Sequence, residues 1–310
     1  MPNKHPIVAV TGASGAGTTA VQQAFKEIFH RQDLTASFVH GDGFLKYDRD
    51  EVCKVMAQAS SSGRVLSCYG PELNDFNALE ALFGNYSTTG RGRLRCYVTE
   101  ENKADFDQPV GYFTEWMDVP ENTDLLFYEG MHGGVVSNSW TRRKMSPSHN
   151  EKVIKERRNI GKQTGVDVAQ YVDMLIGVVP AINLEWIQKI HHDMHCTKTS
   201  TAAVTDTILS RLQDYIHFIV PQFSLTDINF QRMPVVDTSN PFVARGVPSE
   251  AESVVVIRFR EPKKYNMPYL LKRIDGAFMS RANTMVIDGG EMQHALDIIC
   301  APMIEKCCGR

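Results

Sequence analysis

A glycine-rich loop stands between an apolar run and a helical segment near the start of the chain. The apolar run is Ile7-Val8-Ala9-Val10, and the loop follows it directly. Glycines in such a loop let successive backbone N–H groups point at phosphate oxygens, and the next helix adds its positive N-terminal end. The sequence therefore predicts a nucleotide-binding strand, loop and helix, whose loop residues are Gly12, Ala13, Ser14, Gly15, Ala16, Gly17, Thr18 and Thr19.

Two positions of this loop specify its chemistry. Thr19 stands where a Ser or Thr hydroxyl binds Mg²⁺ in loops of this kind, whereas Thr18 stands where a lysine normally contacts the phosphates. Because the positive charge of that lysine is missing, we expect another cation to reach the phosphates from elsewhere in the chain.

Composition limits the class of protein and its partners. The 310 residues are 43% hydrophobic, which is enough for a large α/β core, and we expect a single domain over residues 1–310. The net charge of −3 predicts no nucleic-acid or membrane-surface partner. No apolar leader and no run of ~18 apolar residues is evident, and the seven cysteines follow no metal-binding spacing. We therefore expect a cytoplasmic protein with free thiols.

Strand and helix patterns alternate through the first 190 residues. The unbroken apolar run at 125–128 is typical of a strand buried on both faces of a parallel sheet. The pattern predicts an α/β fold with a doubly wound, mainly parallel sheet, extended at one edge by additional, antiparallel strands. The predicted strands lie at 7–10, 36–40, 95–98, 125–128, 174–179, 232–237, 253–259 and 284–287. The predicted helices lie at about 17–30, 48–62, 74–86, 184–190 and 201–219 and after Gly289-Gly290.

The segment 140–165 differs in composition, because it is rich in Lys and Arg and nearly free of large apolar residues. We interpret it as an exposed loop. The alternative is a lid that brings positive charge over bound phosphates.

Acidic residues follow two of the predicted strands. Because ligands of open α/β sheets bind at the carboxyl ends of the strands, Asp42 is a candidate general base and Glu129 a candidate Mg²⁺ ligand. The alternatives are a turn-forming role for Asp42 and a capping role for Glu129.

One predicted helix carries two pairs of ionisable residues. Lys189 and Asp193 lie four residues apart and share a helix face, for which a surface ion pair is the ordinary explanation. His191 and His195 have the same spacing, but without a third ligand a solvated helix face is favoured over a metal site.

The chain resembles the bacterial class of phosphoribulokinases, P-loop kinases that phosphorylate ribulose 5-phosphate. The resemblance spans nearly the whole chain, and threonine at the position of Thr18 is a trait of that family. The matching strings lie at 5–19, 41–42, 127–133, 178–189, 221–224, 229–232, 236–242 and 278–283.

The resemblance implies a P-loop kinase that uses ATP and Mg²⁺. It makes Asp42 the base for the sugar hydroxyl, places Glu129 and Thr19 at the metal, and makes Lys189 the displaced cation that contacts the phosphates. Asp193 becomes a second active-site carboxylate.

The resemblance extends to substrate contacts and to regulation. Arg49 matches a sugar-phosphate-binding arginine, and His192 also stands at a substrate-contact position. Arg211, Arg258 and Arg281 match arginines at subunit contacts and in effector response, which implies a homo-oligomer with NADH or AMP as effector.

Three positions depart from the family pattern, all on the acceptor side. Leu45 replaces a histidine, and His192 and Thr197 replace arginines that would hold a phosphate through two parallel hydrogen bonds. The leading interpretation is a ribulose 5-phosphate kinase of the Calvin cycle type. The alternatives are a kinase of another hydroxyl metabolite, such as a pentose, another sugar phosphate or a nucleoside, and a non-catalytic nucleotide sensor, against which the retained Asp42 argues.

Overall fold

An eight-stranded sheet forms the centre of the molecule. In spatial order its strands are β2, β5, β1, β6, β7, β8, β10 and β9, while β3 and β4 form a separate pair. In chain order the strands are β1 Ile7–Gly12, β2 Ala36–His40, β3 Arg93–Leu94, β4 Met117–Asp118, β5 Leu125–Gly130, β6 Met174–Pro180, β7 Ile228–Pro234, β8 Ser253–Phe259, β9 Phe278–Arg281 and β10 Thr284–Asp288.

The computed structural model describes residues 5–12, 18–61, 66–137, 165–196, 200–243 and 246–310. For residues 18–20, 193, 195 and 196 it describes the backbone alone. The basic segment predicted as a loop or lid lies outside these residues, except for Gly165 at its end.

The helices cover both faces of the sheet. In chain order they are α1 Thr18–Arg31, α2 Arg49–Ser61, α3 Phe76–Thr89, α4 Ile182–Cys196, α5 Thr201–Asp214, α6 Val220–Phe223, α7 Met267–Arg273 and α8 Met292–Cys307. A π-helical turn, Tyr215–Ile219, joins α5 to α6.

Strand β1 shows how the sheet is buried on both sides. Val8 and Val10 pack into one core with α1 and α8, while Ile7 and Ala9 pack into a second core with α3. Successive side chains of a strand point to opposite faces, so an unbroken apolar run places apolar groups in both cores.

The sheet has a parallel half and an antiparallel half. β2, β5, β1, β6 and β7 pair in parallel, whereas β8 pairs antiparallel to β7 and is followed by antiparallel β10 and β9. The predicted fold class is confirmed, including the antiparallel strands at one edge. β5 lies between β1 and β2, and the three strands are parallel as predicted.

Three predicted elements need correction. The strand predicted at 95–98 is wrong, because the strand is Arg93–Leu94 and residue 97 makes only an isolated bridge to Phe113. The strand predicted at 232–237 lies earlier, at Ile228–Pro234, since the exposed Val235 and Val236 made the apolar run look longer than the paired segment.

The helix predicted at 201–219 is α-helical only to Asp214 and continues as the π-turn. Pro221 follows that turn, and its lack of a backbone N–H removes one α-helical hydrogen bond. In the described part of the chain, no helix has the length and apolar character needed to cross a membrane.

Candidate active site

The carboxyl ends of the parallel strands bring the predicted site residues to one edge of the sheet. Glu129 near the end of β5 is in register with Val10 of β1 and with His40, the last residue of β2. Gly12, where the glycine-rich loop begins, is in register with Val178 of β6. Parallel strands therefore align the start of the loop, the Glu129 carboxylate and the segment that leads to Asp42.

The strand and the helix on either side of the glycine-rich loop form as predicted. Gly12 ends β1, and Thr18 and Thr19 begin α1, so free backbone N–H groups of a helix start face this edge of the sheet. Residues 13–17 and the side chains of the two threonines lie outside the described structure.

Asp42 lies in a short 3₁₀ turn, Gly41–Phe44, directly after β2. Its side chain is open to solvent. Burial by the surrounding protein nevertheless raises the pKa of the Asp42 carboxyl, and the neighbouring His40 acts in the opposite direction. An accessible carboxyl that has lost part of its hydration can meet a small substrate and act as a general base.

Arg95 holds the turn that carries Asp42. Its Nε donates to the Gly43 carbonyl oxygen at 2.9 Å, and its Nη2 donates to the Leu45 carbonyl oxygen at 2.7 Å. The guanidinium lies 3.6 Å from the ring centre of Phe113. Sequence reasoning missed Arg95, because its partners are backbone atoms about fifty positions away, and only the aromatic residues around it could have given a signal.

Two glycines let the loops after β2 and β5 touch. A Cβ on Gly41 would lie 3.1 Å from the Cα of Gly130, and a Cβ on Gly130 would lie 2.8 Å from the Cα of Gly41. The contact places the Asp42 turn directly beside the end of β5, where the Glu129 side chain is 9% exposed. A largely buried carboxylate beside the phosphate-binding loop is the hard oxygen donor that Mg²⁺ prefers, so the residues present fit this ion.

The position of Lys189 on α4 can be related to Asp42 through the Cys68 thiol. The pKa of the Cys68 thiol is raised by burial, and the charges of Arg211, Lys189 and Asp42 all act on it. Lys189 and Asp42 therefore lie within electrostatic range of one thiol, although they are far apart in the chain. The role of Lys189 as the displaced cation stays a prediction, and the side chain of Asp193, one turn later, lies outside the described structure.

Arg49 lies at the start of α2, seven residues after Asp42. Its backbone N–H donates to the Gly111 carbonyl oxygen at 2.8 Å, and a Cβ on Gly111 would come within 2.7 Å of the Arg49 Cβ. Burial raises the pKa of the Tyr97 phenol, on which Asp42 and Arg49 act in opposite directions. Tyr97 therefore lies within electrostatic range of both Asp42 and Arg49, and sequence reasoning missed it.

Comparisons with known proteins identify the family of the chain. The sequence profile of the Phosphoribulokinase / Uridine kinase family matches residues 7–239. The chain belongs to this family.

Relatives in the family match almost the whole chain. It is 46% identical to the phosphoribulokinase of Nitrobacter vulgaris, with 98% of this chain and 97% of the relative covered. It is 47% identical to the chromosomal phosphoribulokinase of Cupriavidus necator, with 98% and 96% covered. The solved phosphoribulokinase from Rhodobacter spheroides superposes with a TM-score of 0.83 at 41% identity, with 99% of this chain and 98% of that one covered. The predicted family resemblance is confirmed.

The three acceptor-side departures from the phosphoribulokinase pattern have different surroundings. Leu45 uses its backbone, whose carbonyl accepts from Arg95 and which bridges to Asn74. His192 is exposed on α4, one turn after Lys189, and Thr197 lies outside the described residues. In the part of the chain that is described, no group of three His, Cys, Asp or Glu side chains could hold a metal ion, and the side chain of His195 lies outside that part.

Proposed function

We propose that the protein is an ATP-dependent phosphoribulokinase, which transfers a phosphoryl group to ribulose 5-phosphate and forms ribulose 1,5-bisphosphate. The observation that carries the proposal is the 46% identity to a named phosphoribulokinase over 98% of the chain. The accessible Asp42 carboxyl at the strand ends supports it, because this chemistry needs a base beside the phosphate-binding loop.

The donor side consists of the glycine-rich loop and the end of β5. Backbone N–H groups of residues 12–19 would hold the ATP phosphates, and Thr19 and Glu129 would hold Mg²⁺. Mg²⁺ held there would supply positive charge that offsets the negative charge developing on the phosphates. The parallel pairing of β5 with β1 supports this assignment, because Glu129 lies in register with Val10, two residues before the loop.

The acceptor side is built around Asp42. Its raised pKa makes the carboxylate a better acceptor for the proton of the attacking hydroxyl. Lys189 would stabilise the transferring phosphoryl group in place of the loop lysine, with Asp193 as a second carboxylate. Arg49 and His192 would bind the sugar phosphate.

Assembly, regulation and location are further parts of the proposal. We propose a homo-oligomer that responds to NADH or AMP through Arg211, Arg258 and Arg281, and a cytoplasmic enzyme without nucleic-acid or membrane partners. Arg281 lies exposed on the edge strand β9, and Arg258 donates to the Phe223 carbonyl oxygen at 2.6 Å.

Turnover over a panel of acceptors tests the function. ADP release with ATP and Mg²⁺ is measured for ribulose 5-phosphate, other sugar phosphates, pentoses and nucleosides. We expect ribulose 5-phosphate to give the highest kcat/KM. Turnover only on another acceptor would overturn the proposed substrate, and ATP binding without any acceptor-stimulated ADP release would indicate a nucleotide sensor.

Replacing Asp42 tests the base directly. We expect Asp42→Asn to lower kcat by ~10²-fold or more with little change in ATP affinity, because the amide cannot accept the hydroxyl proton. Asp275→Asn, an exposed aspartate before β9, is the matched control and should retain the kcat of the wild type. An Asp42→Asn variant with unchanged kcat would remove Asp42 from the base role.

A further inference from the structure

Helix α4 carries a buried carboxylate one turn before Lys189. Glu185 and Lys189 are four residues apart and lie on the same face of the helix. The Glu185 side chain is only 8% exposed. A carboxylate is rarely buried to this degree unless it has a partner, so its surroundings need an explanation.

Glu185 and Lys189 line one small cavity. Its volume is about 30 Å³, and its remaining walls come from the segment before α3, from α5 and from the π-turn. Its ionisable lining side chains are Tyr69, Glu185, Lys189, Arg211 and Tyr215. The space admits a water molecule but not a substrate, so these groups act on one another.

The π-turn supplies a hydrogen bond to Glu185. Tyr215, the first residue of that turn, donates its hydroxyl to Glu185 Oε2 at 3.1 Å. The ring of Tyr69 packs edge-on against Tyr215 with 5.5 Å between the ring centres, which fixes the donor. π-Turns occur often at functional sites, and this one places a single hydroxyl on a single buried carboxylate.

Four ionisable groups face Glu185 from the elements packed around it. Lys189 comes from its own helix, Arg211 from α5, Tyr215 from the π-turn and Tyr69 from the segment before α3. Burial raises the pKa of Glu185 to about 7, while the Tyr215 hydrogen bond and the charge of Lys189 favour the carboxylate.

We propose that Glu185 is a positioning residue, whose carboxylate, held by Tyr215, orients the Lys189 ammonium by charge attraction across the cavity that both side chains line. This assignment rests on the proposed kinase function, in which Lys189 stabilises the transferring phosphoryl group. Glu185 itself does not touch the substrate. It acts by keeping the ammonium in place before the reaction begins.

The first test compares Glu185→Gln with Glu80→Gln. Glu80 is a half-buried glutamate of α3 that accepts from the Asp167 N–H at 2.8 Å, outside the candidate site. We expect Glu185→Gln to lower kcat by ~10-fold at pH 8.5, with KM values for ATP and acceptor changed less than ~3-fold. The ratio of wild-type to variant kcat should fall to about 1 toward pH 5.5, because protonation removes the same charge from the wild type. Glu80→Gln should change neither kcat nor its dependence on pH.

The second test compares Tyr215→Phe with Tyr86→Phe. Both hydroxyls are hydrogen-bonded, since Tyr86 pairs with Thr123 Oγ1 at 2.9 Å on the far side of α3. Loss of the Tyr215 donor raises the pKa of Glu185, so the kcat of Tyr215→Phe should match the wild type at pH 8.5 and fall below it near pH 7. Tyr86→Phe should follow the wild type at both pH values.

A direct titration separates this inference from the proposed function. In protein labelled with ¹³C at the glutamate carboxyl, the resonance lost in Glu185→Gln should titrate near pH 7, and higher in Tyr215→Phe. A kcat ratio that does not vary with pH would mean a structural role and would overturn the inference. Titration of that resonance near pH 4.5 would do so as well. Failure of ribulose 5-phosphate as acceptor would affect only the proposed function, since the titration needs no substrate.

Discussion

The position of Asp42, the candidate base, depends on the absence of a side chain at Gly43. The residue follows Asp42 in the 3₁₀ turn, and a Cβ placed on it would lie 2.1 Å from the Arg95 carbonyl oxygen. That distance is far below van der Waals contact, and the obstacle is backbone, which cannot rotate away. The Arg95 side chain also donates to the carbonyl oxygen of Gly43. A side chain at Gly43 would therefore push against the same residue that holds the turn in place.

Gly43→Ala should therefore damage activity more than folding. We expect the turn to shift, kcat to fall by ~10-fold or more, and stability to fall by about 1–3 kcal/mol, which is typical of overpacking. Steady-state kinetics and thermal unfolding measure the two effects. Gly290→Ala is the control, because nothing lies within 4 Å of a Cβ there. Equal kcat in both variants would show that the turn tolerates a side chain.

At the scale of elements, the short helix α6 connects the phosphate-loop strand to the loop after β5. The Gln222 amide donates to the carbonyl oxygens of Met131 and Phe218, both at 3.0 Å. Its oxygen accepts from the Gly134 N–H at 3.0 Å and lies 3.3 Å from Thr11 Oγ1. One buried side chain thus satisfies polar groups of the end of β1, the loop after Glu129 and the π-turn.

Gln222→Met tests how much this hydrogen-bond network contributes to stability and to ATP binding. Methionine fills a similar volume but removes the acceptor of the Gly134 N–H, at about 1–3 kcal/mol for a buried group left unpaired, and leaves the Met131 carbonyl with the Thr11 hydroxyl as donor. We expect a loss of at least about 2 kcal/mol in urea unfolding and a weaker affinity for ATP. Gln293→Met, on the exposed face of α8, should leave both unchanged. Wild-type stability in Gln222→Met would mean that the loops are held by other contacts.

At the scale of the whole molecule, the buried carboxylate of Glu185 makes stability depend on pH. The unfolded chain releases this proton near pH 4.5, whereas the folded protein holds it to about pH 7. The folded state binds the proton more tightly between these values, so the free energy of unfolding decreases as pH rises through this window. Above about pH 7 the protonated carboxyl no longer contributes to the free energy of unfolding.

Glu185→Gln should accordingly be more stable than the wild type at pH 8, by about 1–3 kcal/mol, although it is less active. The difference should shrink toward zero near pH 4.5, and urea unfolding at the two pH values measures it. Glu80→Gln should shift stability equally at both. A Glu185→Gln variant that is less stable at pH 8 would show that the Lys189 pair outweighs the burial of the charge.

The sequence by itself determined the parts of this protein that lie close together in the chain. The strand, loop and helix around Gly12 are contiguous, and the unbroken apolar runs of β1, β5 and β6 can be satisfied only between two cores. The mainly parallel sheet and the positions of Asp42 and Glu129 at strand ends followed from these patterns. The exposed strand β9 was missed because its four residues show no alternation of buried and exposed positions.

Only the tertiary structure decided which distant segments lie together at the candidate site. The spacing on α4 indicated Lys189 and Asp193, but the burial of Glu185 depends on the packing of α5 and the π-turn against that helix. Likewise, the contact of Gly41 with Gly130 exists because β5 inserts between β1 and β2. The desolvation of a group and its hydrogen-bond partners depend on every element that surrounds it. The pKa of Glu185 and the position of the Asp42 turn therefore follow from the order of the strands and the packing of the helices rather than from local sequence.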